Sequence, residues 1–166
     1  KCTRSAHFPL QIKIYPYICR NSSLMIIGRV DETRRLKGLL EKEESQFCVL
    51  YGRRRVGKTF LVRESFGYEF FFQHTGIYKG KLKRQLAAFR SSLIAAGLED
   101  SPSLSGWDDA FAQLKRLIEN GRRGKKVIFI DELPWMDTPK SSLVSELENF
   151  WNAWATDRVE KDIVLV

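Results

Sequence analysis

Gly52-Arg-Arg-Arg-Val-Gly57-Lys58-Thr59 constrains this chain more than any other stretch. It satisfies G-x-x-x-x-G-K-[ST], the Walker A phosphate loop, at every required position. The flanks agree with it. "FCVLYG" (Phe47–Gly52) predicts a short buried strand ending in glycine, and a helix is expected from about Gly57 to Phe66. Gly52 and Gly57 allow backbone geometry and a close approach that a Cβ would obstruct. Amides from Gly52 through Phe60, with the start of the following helix, form the cradle such a loop offers to phosphates. Lys58 is expected to reach the β- and γ-phosphates as a point charge and counts as catalytic for that reason, while the Thr59 hydroxyl is the expected Mg²⁺ ligand. Arg53, Arg54, Arg55 and Val56 fill the four positions the pattern leaves free. Solvated arginines adding positive potential at the rim are the plain reading of the three; contact with a neighbouring subunit or with the γ-phosphate is the sharper one.

A second motif belongs with the first. In Val127-Ile-Phe-Ile-Asp131-Glu132 an apolar strand delivers two adjacent carboxylates to its carboxyl end. Asp131 is the candidate for holding Mg²⁺, directly or through its water shell, and Glu132 the candidate general base or water-positioning group. Ile26-Ile27-Gly28-Arg29 lies about twenty residues ahead of the loop. Gly28 and Arg29 there either line an adenine pocket or make a simple helix-entry turn.

The rest of the chain alternates strand and helix. Asp31 is a plausible N-cap for a helix with Leu36, Leu39 and Leu40 on one face. "YEFFFQHT" predicts a second strand, and the segment after it places Leu82, Leu86, Phe89 and Leu93 at helical spacing before Gly97. A loop, "SPSLSG", leads into the amphipathic helix "WDDAFAQLKRLIENG". After the acidic strand, "SSLVSELENFWNAWATD" turns Leu143, Leu147, Phe150 and Trp154 to the core, and "DIVLV" begins one more strand. Apolar strands alternating with helices predict a mostly parallel sheet covered on both faces, a three-layer α/β/α arrangement. In such sheets ligands bind beyond the strand carboxyl ends, where both charged motifs fall.

Composition narrows the classes. At 166 residues and 43% hydrophobic the chain can bury one substantial core, and no apolar run approaches the roughly 20 residues of a bilayer span. Cys2, Cys19 and Cys48 lack metal or redox spacing, Cys48 reads as a small core residue, and a cytoplasmic setting is expected. His7 and His74 stand alone, without ligand-spaced partners. The formal charge of +8 misleads, since Lys1, Arg4, Lys13 and Arg20 supply +4 of it with no acid in residues 1–24. "KGKLKR" and "RRGKK" are expected to be solvated helix ends, and they are the residues of this sequence that suggest DNA. Trp151 and Trp154 sit three apart on a helix and are expected in the core rather than in a base-stacking set, and Trp135 is expected near the site. Residues 1–24, with two prolines and no helical periodicity, read as a leader or as sequence upstream of a start at Met25. Residues 25–166 read as one domain that breaks off in or after the strand at 162–166.

"IIGRVDETRRLKGLL", "FCVLYGRRRVGKTFLVRE", "FFFQHTG", "KKVIFIDELPWMDTPKSSLVSELENFWNAWA" and "DIVLV" together resemble the prokaryotic AAA+-type P-loop ATPases, the archaeal ATPase group, over about residues 25–166. The resemblance implies an extra strand between the phosphate loop and the acidic strand, and ATP with Mg²⁺ rather than GTP. No N-K-x-D guanine motif is present. It further implies a polar sensor residue and a helical region beyond this sequence and, in many members, a nuclease-like domain. The function it implies is ATP hydrolysis coupled to movement of a partner domain. The alternatives are an ATP-dependent switch with little turnover and a DNA-associated ATPase, with a second copy of the chain as a candidate partner. "SLSGW" lacks the second glycine and the glutamine of a transporter-type signature, and no lid for a second substrate is legible.

Overall fold

The computed structural model describes residues 11–14 and 29–166. In chain order its elements are β1 (Gln11–Ile14), α1 (Val30–Lys37), β2 (Gln46–Tyr51), α2 (Lys58–Ser65), β3 (Phe72–Thr75), α3 (Leu82–Ala95), α4 (Trp107–Glu119), β4 (Lys126–Asp131), α5 (Leu133–Met136), α6 (Leu143–Phe150) and β5 (Ile163–Leu165). The last turn of α6 widens into a π-helical segment, Trp151–Ala155.

The sheet runs in the order β1-β2-β5-β4-β3. Its four core strands are parallel, with Phe72 opposite Ile128, Val127 opposite Val164 and Gln46 opposite Val164 on the far side. β5 therefore lies between the strand that leads into Gly52–Thr59 and the strand that ends on Asp131 and Glu132. β1 adds an antiparallel edge, Gln11 opposite Tyr51. The sequence assigns that segment no strand.

Alternation along the central strands divides the core. Ile128 and Ile130 of β4, with Ile163 and Leu165 of β5, join a cluster supplied by Leu86, Phe89 and Leu93 of α3, Trp107, Phe111 and Leu114 of α4, and Leu143, Leu147 and Phe150 of α6. Val127, Phe129 and Val164 join Cys48 of β2 in another, against Leu36 of α1 and Leu61 and Val62 of α2. A strand whose successive residues are all buried needs apolar cover on both faces, and each fully buried Leu, Ile or Phe contributes roughly 1.5–3 kcal/mol. Burial pushes the Cys48 thiol up to about 12, so it is inert packing.

Several local expectations need correction. The cap of α1 is Arg29, whose carbonyl accepts from the Thr33 amide and hydroxyl, and Asp31 sits in the first turn paired with Arg34. Leu36 and Leu39 are buried but Leu40 is exposed, because the chain tightens past Lys37 with i→i−3 bonds from Leu39 and Leu40. The strand in "YEFFFQHT" is only Phe72–Thr75. Lys126 of "RRGKK" is not a solvated helix end; it opens β4, buried, with its ammonium on Asp162. Trp151 and Trp154 are only partly buried against the core, whereas Trp107 is wholly buried. No described helix is long and apolar enough to cross a membrane.

Candidate active site

β2 ends at Tyr51 and the chain turns through Gly52–Gly57 into α2. Two residues of this turn take left-handed backbone, Arg55 at φ 62° and Gly57 at φ 79°, and Gly57 is the cap from which α2 starts. The turn wraps around Lys58, whose ammonium donates to the carbonyls of Gly52 at 3.2 Å and Arg53 at 3.1 Å. Arg29 braces it from outside through a guanidinium bond to the Val56 carbonyl.

β4 brings the carboxylates to the same place. The Thr59 hydroxyl, in the first turn of α2, donates to Asp131 Oδ2 at 2.7 Å, a contact across 72 residues of chain. Asp131 Oδ1 accepts the amide of Glu132 at 3.0 Å. Glu132 is itself left-handed, φ 53° and ψ 42°, and caps the short helix α5. Left-handed backbone at a residue with a Cβ costs of order 1–3 kcal/mol and persists only where its surroundings hold it. They do so here. The Trp135 amide donates to the Glu132 carbonyl at 2.9 Å, and Gly76, just after β3, lies against it so closely that a Cβ would come within 2.6 Å of that oxygen. Gly76 in turn donates its amide to the Asp131 carbonyl at 2.9 Å.

Around these groups lies a cavity of about 400 Å³ whose lining includes Gly52, Arg54, Lys58, Thr59, Asp131 and Glu132. Trp135, expected nearby, also lines it. Arg53, Arg55, Val56, Gly57 and Phe60 belong to the loop or to α2 but not to the cavity wall, and Phe60 is exposed. Arg29 reaches the loop rather than the cavity. Gly28 lies outside the described residues. His74 is turned away from the cavity, buried against Phe89 with its Nδ1 on the Ser92 hydroxyl at 2.9 Å.

Three residues that matter here escape the sequence motifs. Gly76 is marked only by following the second strand. Gln85, fully buried at the start of α3, accepts from the Ile77 amide and donates to the carbonyls of Ile77 and Trp135, tying the loop after β3 to α5. Tyr78 meets Trp135 ring to ring at 5.3 Å. No spacing rule connects residues so far apart.

A loop of backbone amides, a lysine, and a facing hydroxyl and carboxylate form a donor set suited to polyphosphate and a hard cation. Magnesium takes oxygen ligands, keeps several waters and leans on one or two carboxylates plus substrate phosphates. Thr59 and Asp131 fit that demand. Among the described residues no group of three or more His, Cys, Asp and Glu could hold a metal by itself.

No curated protein and no solved structure matches the chain. A family model described as an ATPase domain predominantly from Archaea matches residues 27–166, nearly all of the chain beyond the first β-strand. Nucleotide binding and an ATPase type of activity come with that family. The chain belongs to this family of ATPase domains found mainly in Archaea.

Proposed function

We propose that the chain is a Mg²⁺-dependent ATPase of the AAA+-type P-loop class, built as a three-layer α/β/α domain, with Lys58, Thr59, Asp131 and Glu132 as its working residues. The observation that carries this reading is the Thr59–Asp131 bond at 2.7 Å, which joins the phosphate loop to the acidic strand at the mouth of one cavity. Thr59 and Asp131 would hold Mg²⁺, which when bound neutralises charge on the phosphate oxygens. Lys58 would exchange the carbonyls of Gly52 and Arg53 for phosphate oxygens, the stronger partners for an ammonium. Glu132, fixed by Asp131, Gly76 and Trp135, would orient and deprotonate the water that attacks the γ-phosphate. Arg29 bracing Val56 supports the side of the loop where Gly28 and Arg29 would meet the base. Hydrolysis would be coupled to movement of a partner domain, in the cytoplasm where ATP is available.

Two variants test it. Lys58→Ala is expected to lose ATP binding, measured by calorimetry, and unchanged affinity sinks the site. Glu132→Gln is expected to bind ATP as the wild type does while turnover falls at least about a hundredfold, the lower end of the range for losing a general base. Wild-type turnover no faster than that of Glu132→Gln identifies an ATP-dependent switch instead. Stimulation of turnover by DNA that fades with added salt identifies the DNA-associated alternative.

A further inference from the structure

Of the three consecutive arginines in the phosphate loop, only Arg54 lines the cavity. Its guanidinium does not extend freely toward the phosphate position. It lies 5.5 Å from the ring centre of Trp135 and 5.6 Å from that of Tyr78, within the distance of about 6 Å at which a cation is attracted to a ring face. Those two rings are packed edge to face against each other. They stand on separate elements, Tyr78 in the loop after β3 and Trp135 in α5. Trp135 is also the residue whose amide holds the Glu132 carbonyl, and its own carbonyl is held by buried Gln85 at 2.6 Å. Trp135 further forms part of the wall between the cavity and a second one of about 500 Å³, which Tyr78 and Lys79 also line. A continuous chain of contacts thus runs from the middle of the phosphate loop through Arg54 and Trp135 to the backbone of Glu132.

We infer that Arg54 is a positioning residue rather than a phosphate ligand: its stack on Trp135 and Tyr78 transmits the state of the phosphate loop to the turn that carries Glu132. This inference rests on the ATPase reading of the same site. A place beside two rings suits a guanidinium. Guanidinium is planar and stacks on rings, whereas the ammonium of lysine is a compact, strongly hydrated point charge, so the two are not interchangeable in this position. That difference separates the inference from the plainer idea that the arginines only add positive potential. Lysine supplies the potential without the stack.

The test uses the full chain and Arg54→Ala, Arg54→Lys and Trp135→Phe. Trp135 emission is isolated by subtracting the Trp135→Phe spectrum, leaving Trp107, Trp151 and Trp154 in common. In the wild type, saturating ATP with Mg²⁺ is expected to change that emission. In Arg54→Ala and Arg54→Lys alike, the change is expected to vanish, with the Kd for ATP within about threefold of wild type and kcat reduced roughly tenfold. A Kd weakened tenfold or more in Arg54→Ala, with Arg54→Lys like wild type, would make Arg54 a phosphate ligand and overturn the inference. A nucleotide-dependent Trp135 signal that survives in Arg54→Ala, or one absent from a wild type that hydrolyses ATP, overturns it as well. A wild type that binds ATP and gives the Arg54-dependent signal without hydrolysis sinks the ATPase reading alone. A wild type that binds no ATP sinks both.

Discussion

At the scale of single residues, two glycines make opposite demands on the same substitution. Gly57 has left-handed backbone, and a Cβ added there would meet nothing within 4 Å. Gly57→Ala therefore incurs only conformational strain, about 1–2 kcal/mol for an L-residue in that region. Gly76 carries no such backbone constraint, but a Cβ there would stand 2.6 Å from the Glu132 carbonyl and 2.8 Å from Met136 Cγ. One neighbour is backbone and the other belongs to a wholly buried side chain, so neither yields cheaply. Gly76→Ala is expected to cost about 1–3 kcal/mol by overpacking and to displace the Glu132 turn. Urea unfolding measures the first effect, and a fall in kcat with little change in ATP affinity measures the second. Gly76→Ala with wild-type stability and turnover would mean that α5 gives way freely and that Glu132 is not held from behind. The loop motif discloses Gly57 because the pattern requires it. Nothing in "FFFQHTG" marks Gly76, since the carbonyl it faces lies 56 positions ahead in the chain.

At the scale of elements, the sequence discloses what is periodic and conceals what depends on partners. The apolar run at 127–130 and the helical faces at 82–93 and 143–150 are legible because burial selects apolar side chains there. The run at 47–51, expected to be a buried strand, buries only Cys48 fully and leaves Val49 and Tyr51 exposed. The ends of β4 and β5 opposite the site are not. There Lys126 and Asp162, with side chains only 4% and 5% exposed, are paired, and Arg158 adds a second cation to Asp162 at 2.9 Å. In sequence Lys126 merely ends a basic run and Asp162 merely precedes an apolar one. Their pairing follows from the parallel alignment of β4 with β5, in which the Lys126 amide also donates to the Asp162 carbonyl at 2.7 Å. Burial by itself would raise the Asp162 carboxyl, but hydrogen bonds from Arg158 and Lys126 outweigh it and hold the group below its ordinary value. Removing one partner of a buried pair leaves the other uncompensated. Asp162→Asn is accordingly expected to destabilise the fold by about 3–5 kcal/mol. Arg158→Gln, which leaves Lys126 and Asp162 paired, should cost clearly less. Equal losses in the two variants, measured by chemical denaturation, would show that the Lys126 pair is not the dominant contact.

At the scale of the whole molecule, stability should depend on pH through the imidazole of His74. His74 of β3 is 4% exposed, packed edge-on against Phe89 at 5.0 Å, with Nδ1 on the Ser92 hydroxyl and Nε2 buried without a hydrogen-bond partner. A second proton on this ring would place a charge among Phe72, Phe89 and Trp107 with no carboxylate to meet it, and burial lowers its pKa from 6.5 to about 4. The folded state thus holds the proton less tightly than the unfolded chain, and unfolding takes up a proton between those two values. The contribution of neutral His74 is fully present above about pH 6.5 and declines as pH falls toward 4, by about 3 kcal/mol in total. Asp162, held below its ordinary 3.8, begins to cost stability only under that value, so the two effects occupy separate windows. Unfolding free energy followed by urea titration from pH 7 to 4.5 should fall steeply in the wild type, with a slope approaching 1.36 kcal/mol per pH unit from this group. His74→Gln, which keeps a polar group near Ser92 but cannot titrate, should flatten the slope in that window whatever its absolute stability. Parallel slopes in the two proteins would mean that His74 gains its proton in the folded state at an ordinary pKa, and that the α3 side of the sheet admits water.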